Sequence, residues 1–184
     1  MRAFVAIFPP PETSEALVGA ARELPLDGAV RWVRPENVHL TLKFLGEVPK
    51  EDLLDRVAEA LEAVCGRHAP FEAGPSAFGA FPTAKRARIL WAGIDEGSAR
   101  LRALAEDVEA SLEPLGFGRE DRAYTPHLTL GRARGQPVVV EATETPSTIP
   151  GFSVCHMELV QSVLGSTGST YSPLATYALS EDRD

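Results

Sequence analysis

Two copies of one tetrapeptide, His39-Leu40-Thr41-Leu42 and His127-Leu128-Thr129-Leu130, decide how this 184-residue chain is read. Composition alone predicts about 0.003 occurrences of that tetrapeptide, so a second copy is not an accident. Each copy also closes the same larger pattern. Val5-Ala6-Ile7, a helical stripe and then His39 match Ala92-Gly93-Ile94, a helical stripe and then His127. The spacing is 32 residues from Ile7 to His39 and 33 from Ile94 to His127. Two strand–helix–strand units of nearly the same length ending in the same residues point to an internal duplication.

In a strand, successive side chains point to opposite faces. His39 and Thr41 are therefore expected to share a face while Leu40 and Leu42 enter the core, and likewise His127 and Thr129 against Leu128 and Leu130. Pro126 suits the first position of a strand, where its missing N–H costs no ladder bond. A pseudo-twofold axis between the halves would bring the two His-Thr faces together across one cleft. Phosphodiester chemistry needs that set: a neutral imidazole to take a proton from the attacking oxygen, and an imidazolium to protonate the leaving oxygen. An imidazole pKa of about 6.5 lets both forms coexist near neutrality. Threonine hydroxyls can bind non-bridging phosphate oxygens, and an arginine can hold their charge in a bidentate grip. A lone strand histidine is usually satisfied by packing or solvent, but two in matched contexts reverse that expectation. His68, in Cys-Gly-Arg-His-Ala-Pro, is expected in a solvated helix-end loop, and His156, in Val-Cys-His-Met-Glu, is read as structural.

Around the tetrapeptides the chain reads as alternating strands and helices. Arg2–Phe8 is strand-like, and Pro11–Glu23 is a helix carrying Leu17, Val18, Ala21 and Leu24 up to Pro25. Val30–Glu47 holds two extended pieces. Glu51–Cys65 is the clearest helix, with Leu53, Leu54, Val57, Leu61 and Val64 in one stripe and acids in the first turn. Phe71–Phe81 and Arg88–Ile94 are extended. Ser98 is expected to cap a helix that turns Leu101, Leu104, Val108 and Leu112 inward and stops near Pro114 and Gly116. Val138–Glu141, Met157–Leu164 and Leu174–Leu179 complete the strands, with Gly165–Ser172 as a hairpin loop.

A composition 44% apolar and 24% charged excludes a disordered, coiled-coil or collagenous chain. No apolar run approaches the roughly 20 residues of a membrane span, and Phe4–Phe8, broken by Pro9, Pro10 and Pro11, is too short for a secretory signal. Two cysteines, Cys65 and Cys155, rule out a disulfide framework. They favour a cytoplasmic protein, each thiol serving as a small apolar filler. The net charge of −8 argues against non-specific binding of long duplex nucleic acid. Pro82–Gly135 nevertheless holds nine basic residues against eight acidic ones, which leaves room for a small anionic substrate or an RNA end.

At this point the residues resemble a known family. Arg2-Ala3-Phe4-Val5-Ala6-Ile7, Arg34-Pro35-Glu36-Asn37-Val38-His39-Leu40-Thr41-Leu42-Lys43-Phe44-Leu45-Gly46 and Tyr124-Thr125-Pro126-His127-Leu128-Thr129-Leu130-Gly131-Arg132 are similar to the 2H phosphoesterases. Within them the match is to the RNA 2′,3′-cyclic phosphodiesterases long called 2′-5′ RNA ligases. The late Gly/Ser/Thr loop with Tyr171 and Leu174 fits that family's last hairpin. The resemblance implies one domain over residues 1–184, built from two pseudo-symmetric lobes. Its fold would be α+β, with two antiparallel sheets facing a central cleft and helices outside. It implies opening of RNA 2′,3′-cyclic phosphate ends to 2′-phosphates, together with ATP-independent 2′-5′ ligation, using no metal and no cofactor. By the same resemblance His39 is the proton donor, His127 the proton acceptor, and Thr41, Thr129 and Arg132 bind phosphate, with Arg122 a weaker choice than Arg132. The family's consecutive aromatics in the first strand are reduced here to Phe4 followed by Val5, and Phe44 is expected in the core. Two alternatives remain open: the same chemistry on a small nucleotide, such as a cyclic nucleotide or an ADP-ribose cyclic phosphate, and a nucleotide- or RNA-binding module without turnover. The chain is expected to act as a monomer and away from membranes.

Overall fold

A computed structural model of the chain describes residues 1–48, 51–140, 145–165 and 168–180, with the side chains of Glu51 and Asp52 outside that description. The acids expected in the first turn of the second helix thus lie outside the described residues. In chain order the elements are β1 (Arg2–Ile7), α1 (Pro11–Arg22), β2 (Val30–Trp32), β3 (Leu40–Glu47), α2 (Glu51–Cys65), β4 (Phe71–Phe81), β5 (Ile89–Glu96), α3 (Ser98–Leu112), β6 (His127–Ala133), β7 (Phe152–Val154), β8 (His156–Gly165) and β9 (Gly168–Ala178). The architecture is α+β, as the sequence led us to expect. The two sheets of that expectation are joined edge to edge in the order β7-β4-β5-β6-β3-β1-β8-β9, with β2 also paired to β6 and every pairing antiparallel. The join is a single paired position, Leu40 opposite Leu128.

All three helices pack on one face of this sheet. The stripes read from the sequence are the buried ones: Leu17, Val18 and Ala21 on α1, Val57, Leu61 and Val64 on α2, and Leu101, Leu104, Val108 and Leu112 on α3. They meet Val5, Ile7, Leu40, Leu42, Leu128 and Leu130 in one core. Burial of each such side chain contributes roughly 1.5–3 kcal/mol. On the other face of β1, Phe4 and Ala6 form a smaller cluster with Val160. The sheet is thus covered by helices on one side and opens as a cleft on the other.

Strict alternation fails at the same place in each half. On β3, Ala6 faces Thr41 while Val5 faces Lys43, so Leu42 is an extra residue. On β6, Trp91 faces Thr129 while Leu90 faces Gly131, so Leu130 is an extra residue. A β-bulge inverts the side-chain parity beyond it. Lys43 and Gly131 therefore turn inward after Leu42 and Leu130, and Phe44 and Arg132 emerge on the cleft face. This corrects the expectation for Phe44, which is 66% exposed rather than part of the core. Inward-facing Lys43 is 3% exposed; its Nζ donates to Glu109 Oε2 of α3 at 2.7 Å and to the Gly118 carbonyl at 2.8 Å. At Gly131 the neighbouring strand lies too close for a side chain, since a Cβ there would meet Val30 Cγ1 at 2.6 Å.

Other local expectations are revised. Gly97, at φ +77°, precedes α3, and its carbonyl accepts from Leu101; Ser98 is already helical and its hydroxyl accepts from Arg102. Most of the Gly165–Ser172 segment is strand, because β8 and β9 stay paired until Gly165 meets Gly168; Ser166 and Thr167 lie outside the described residues. Val138 forms only an isolated bridge to Ala87, and Glu141 lies outside the description. Cys65 is buried, but Cys155 is exposed, sitting in the one-residue break between β7 and β8 while Val154 and Met157 take the inward positions. His68 is not simply solvated, because its Nε2 lies 3.0 Å from Asp107 of α3, which also binds Arg67. His156 is exposed and 3.6 Å from Glu158. Among the described residues no helix is long and apolar enough to cross a membrane.

The buried Lys43–Glu109 pair gives a direct test of the bulge. Lys43→Ala leaves the Glu109 carboxylate without its cation and is expected to cost about 3–5 kcal/mol in urea unfolding. The double variant Lys43→Met, Glu109→Leu should recover most of that loss.

Candidate active site

Each tetrapeptide histidine is delivered by a short rigid lead-in. Before β3, Pro35–Asn37 forms one turn of 3-10 helix, closed by the Asn37 N–H on the Arg34 carbonyl at 2.8 Å. Before β6, Pro126 is buried and restricts Thr125 to extended geometry. In both cases the backbone carbonyl two residues upstream accepts from the imidazole. His39 Nδ1 lies 2.7 Å from the Asn37 oxygen, and His127 Nδ1 lies 2.7 Å from the Thr125 oxygen. A carbonyl can only accept, so Nδ1 carries the hydrogen in both rings and Nε2 is left for the cleft.

The Leu40–Leu128 pair then fixes how the histidines meet. Extending that antiparallel register by one residue each way sets His39 beside Thr129 and Thr41 beside His127. The histidines are thus diagonal neighbours, about 7–8 Å apart along the backbone by strand geometry. His39, Thr41, His127, Thr129 and Arg132 all line a single cleft of about 930 Å³. The structure brings together every residue expected at the site; Arg122 lines the same cleft from its exposed loop, while His68 and His156 stand outside it. Among the described residues no three His, Cys, Asp or Glu side chains cluster as metal ligands.

The two imidazoles have matching anchors but different surroundings. His39 is enclosed by Phe4, Phe8 and Tyr171, with ring centroids 5.0, 5.3 and 5.2 Å away. Burial pushes its pKa below the ordinary 6.5, the Asn37 hydrogen bond opposes that shift, and the nearby charges of His127 and Arg132 reinforce it. His127 packs edge-on against Phe81 at 5.1 Å and lies 6.3 Å from Trp91. Asn37 also reaches β9 through a 3.2 Å hydrogen bond from Nδ2 to the Ser169 carbonyl. Sequence reading had given no role to Asn37, Phe8, Phe81 or Trp91. Phe8 was accessible from the alternation Phe4-Ala6-Phe8, whereas Phe81, Trp91 and Tyr171 reach the site only through strand order.

With this geometry in hand, the similarities to known proteins are informative. A family model described as LigT like phosphoesterase matches residues 7–91, a span holding the first tetrapeptide. An RNA 2′,3′-cyclic phosphodiesterase of Archaeoglobus fulgidus is 36% identical over 180 residues, covering 96% of this chain and 99% of that protein. A solved structure from Thermus thermophilus superimposes with a TM-score of 0.86 at 29% identity, covering 100% of both chains. E. coli LigT complexed with 3′-AMP gives a TM-score of 0.81 at 26% identity over 98% of both chains. The chain belongs to the LigT-like phosphoesterases, a family of the 2H phosphoesterase superfamily.

In a nitrogen-15 NMR titration of the free protein, His39 is expected to show the Nδ1–H tautomer and a midpoint below 6.5. A midpoint above 6.5 would show that the aromatic enclosure does not exclude water.

Proposed function

We propose that the chain hydrolyses RNA 2′,3′-cyclic phosphate ends to 2′-phosphomonoesters by two-histidine general acid–base catalysis. The observation that carries this reading is the crossed register at Leu40–Leu128, which sets each histidine beside the other half's threonine around one gap. The site belongs to a single domain of two pseudo-symmetric lobes spanning residues 1–184. In the reaction His127 Nε2 takes a proton from water, the water oxygen attacks phosphorus, and the bond from phosphorus to the 3′-oxygen breaks. His39 Nε2 supplies the proton that the departing 3′-oxygen requires, leaving a 2′-phosphate and a 3′-hydroxyl. Thr41 and Thr129 donate to the non-bridging oxygens, and Arg132 balances the charge that grows on them. A 5′-hydroxyl in place of water would give a 2′-5′ linkage by the same proton movements, without ATP because the strained cyclic ester supplies the leaving group. The likeness to E. coli LigT, solved with 3′-AMP, supports a nucleotide occupant.

The test is conversion of a 2′,3′-cyclic-phosphate oligonucleotide to its 2′-phosphate in excess EDTA without ATP. Single His39→Ala and His127→Ala variants should each lose about 10² or more in kcat; full activity in the double variant overturns the reading. The pH dependence has a definite sign. His39 must be protonated to act and its pKa lies below 6.5, so kcat/KM should decline as pH rises through that lowered value. A bound anion beside His39 favours the imidazolium, so the corresponding limb in kcat should sit at higher pH. Both limbs belong to the coupled pair rather than to one ring.

A further inference from the structure

The proposed chemistry uses Arg132 but leaves unexplained the basic residues ranged beside it. Arg31 of β2 is the cross-strand partner of Arg132, and Ile89 of β5 is its partner on the other side. Cross-strand partners project from the same face. Arg31 therefore stands on the cleft face beside Arg132, as does Ile89, which lines the cleft itself. Like charges directly opposed in an antiparallel pair are destabilising, so this pairing calls for an anion between or above the two guanidinium groups. Arg134 follows two residues on, held at the start of β2 by its N–H on the Ala29 carbonyl at 2.8 Å. Arg88 lies at the same corner, but its carbonyl accepts from Ala133 N at 2.9 Å, which pairs it with a residue packed in the cluster on the opposite face, and its Nη1 donates to the Gly135 carbonyl at 2.9 Å.

All four arginines are exposed. The arginine ion pairs among the described residues involve Arg34, Arg67 and Arg119, and none of these four. In a chain of net charge −8 this is a local reversal of sign that continues outward from the candidate active site. Residues two apart on a strand stand about 7 Å apart, a spacing close to one nucleotide step.

We infer that Arg31 and Arg134 form a track for the backbone phosphates of a single RNA strand whose 3′-terminal cyclic phosphate lies between the histidines. This rests on the proposed function and deepens it by assigning a subsite to the phosphates upstream of the reacting end. The phosphates on the track are those 5′ of the reacting end. The acidic remainder of the surface disfavours a long duplex and leaves a short single-stranded run as the occupant.

The experiment compares kcat/KM for a tetranucleotide and for a mononucleoside, each ending in a 2′,3′-cyclic phosphate, in the full chain and in an Arg31→Gln, Arg134→Gln variant. Both substitutions are at exposed positions, and a thermal melt checks that the variant folds. The full chain should favour the tetranucleotide by about tenfold or more at low salt, and the advantage should shrink as salt rises. The variant should lose most of that advantage and show a shallower salt dependence, with mononucleoside turnover within about twofold of the full chain. Unchanged tetranucleotide preference in the variant, or a parallel fall on both substrates, overturns the track. Mononucleoside turnover without any tetranucleotide advantage in the full chain overturns the track alone. No turnover of either substrate removes the reading on which it rests as well.

Discussion

The pairing of Leu40 with Leu128 is the narrowest joint in the fold and the one on which the site depends. Both leucines are fully buried, so the register is anchored by the core and not by the polar residues that flank it. A slip of one residue would turn the leucines outward and the histidines inward, which makes this register strongly specified. Hydrophobic burial on the helical face thereby sets the separation of the two imidazoles on the other. Stability and chemistry are two readings of the same pair of strands.

The bulges at Leu42 and Leu130 show how two similar halves acquire different tasks. Each bulge turns the next residue inward and the one after it into the cleft. In the first half these positions hold Lys43, bound to Glu109, and exposed Phe44; in the second they hold Gly131, crowded by Val30, and Arg132. The same backbone device thus presents an aromatic surface from the first half of the chain and a cation from the second. Enclosure differs as well, because Tyr171 comes from β9, whose hairpin with β8 flanks the first half alone.

Much of this was legible in the sequence, and the failures share a cause. The repeat, the helical stripes and the grouping of His39, Thr41, His127 and Thr129 follow from local periodicity and the matched motifs, whereas Arg132 came only from the family resemblance, because alternation counted from His127 turns it away from the cleft until the extra residue at Leu130 is known. What escaped were features that depend on strand register. Alternation counted from His39 sends Phe44 to the core, and only the pairing with β1 reveals the extra residue at Leu42. Strand order likewise places Trp91 beside Thr129 and Tyr171 over His39, and no spacing within one segment encodes that. Ser98 failed for a different reason: Gly97 adopts a positive φ, and Ser98 falls one residue inside the helix.

The enclosure of His39 has a consequence for the enzyme after its product has formed. In the proposed cycle a proton leaves His39 and another arrives on His127, so the protein that releases product is not the one that received substrate. Nδ1 of His39 is committed to the Asn37 carbonyl, and aromatic rings pack around the imidazole. Its open nitrogen can be recharged only through the mouth that the nucleotide occupies. Departure of product and re-arming of the catalyst are therefore consecutive uses of one doorway, and the enzyme has a memory of its last turnover until that doorway clears.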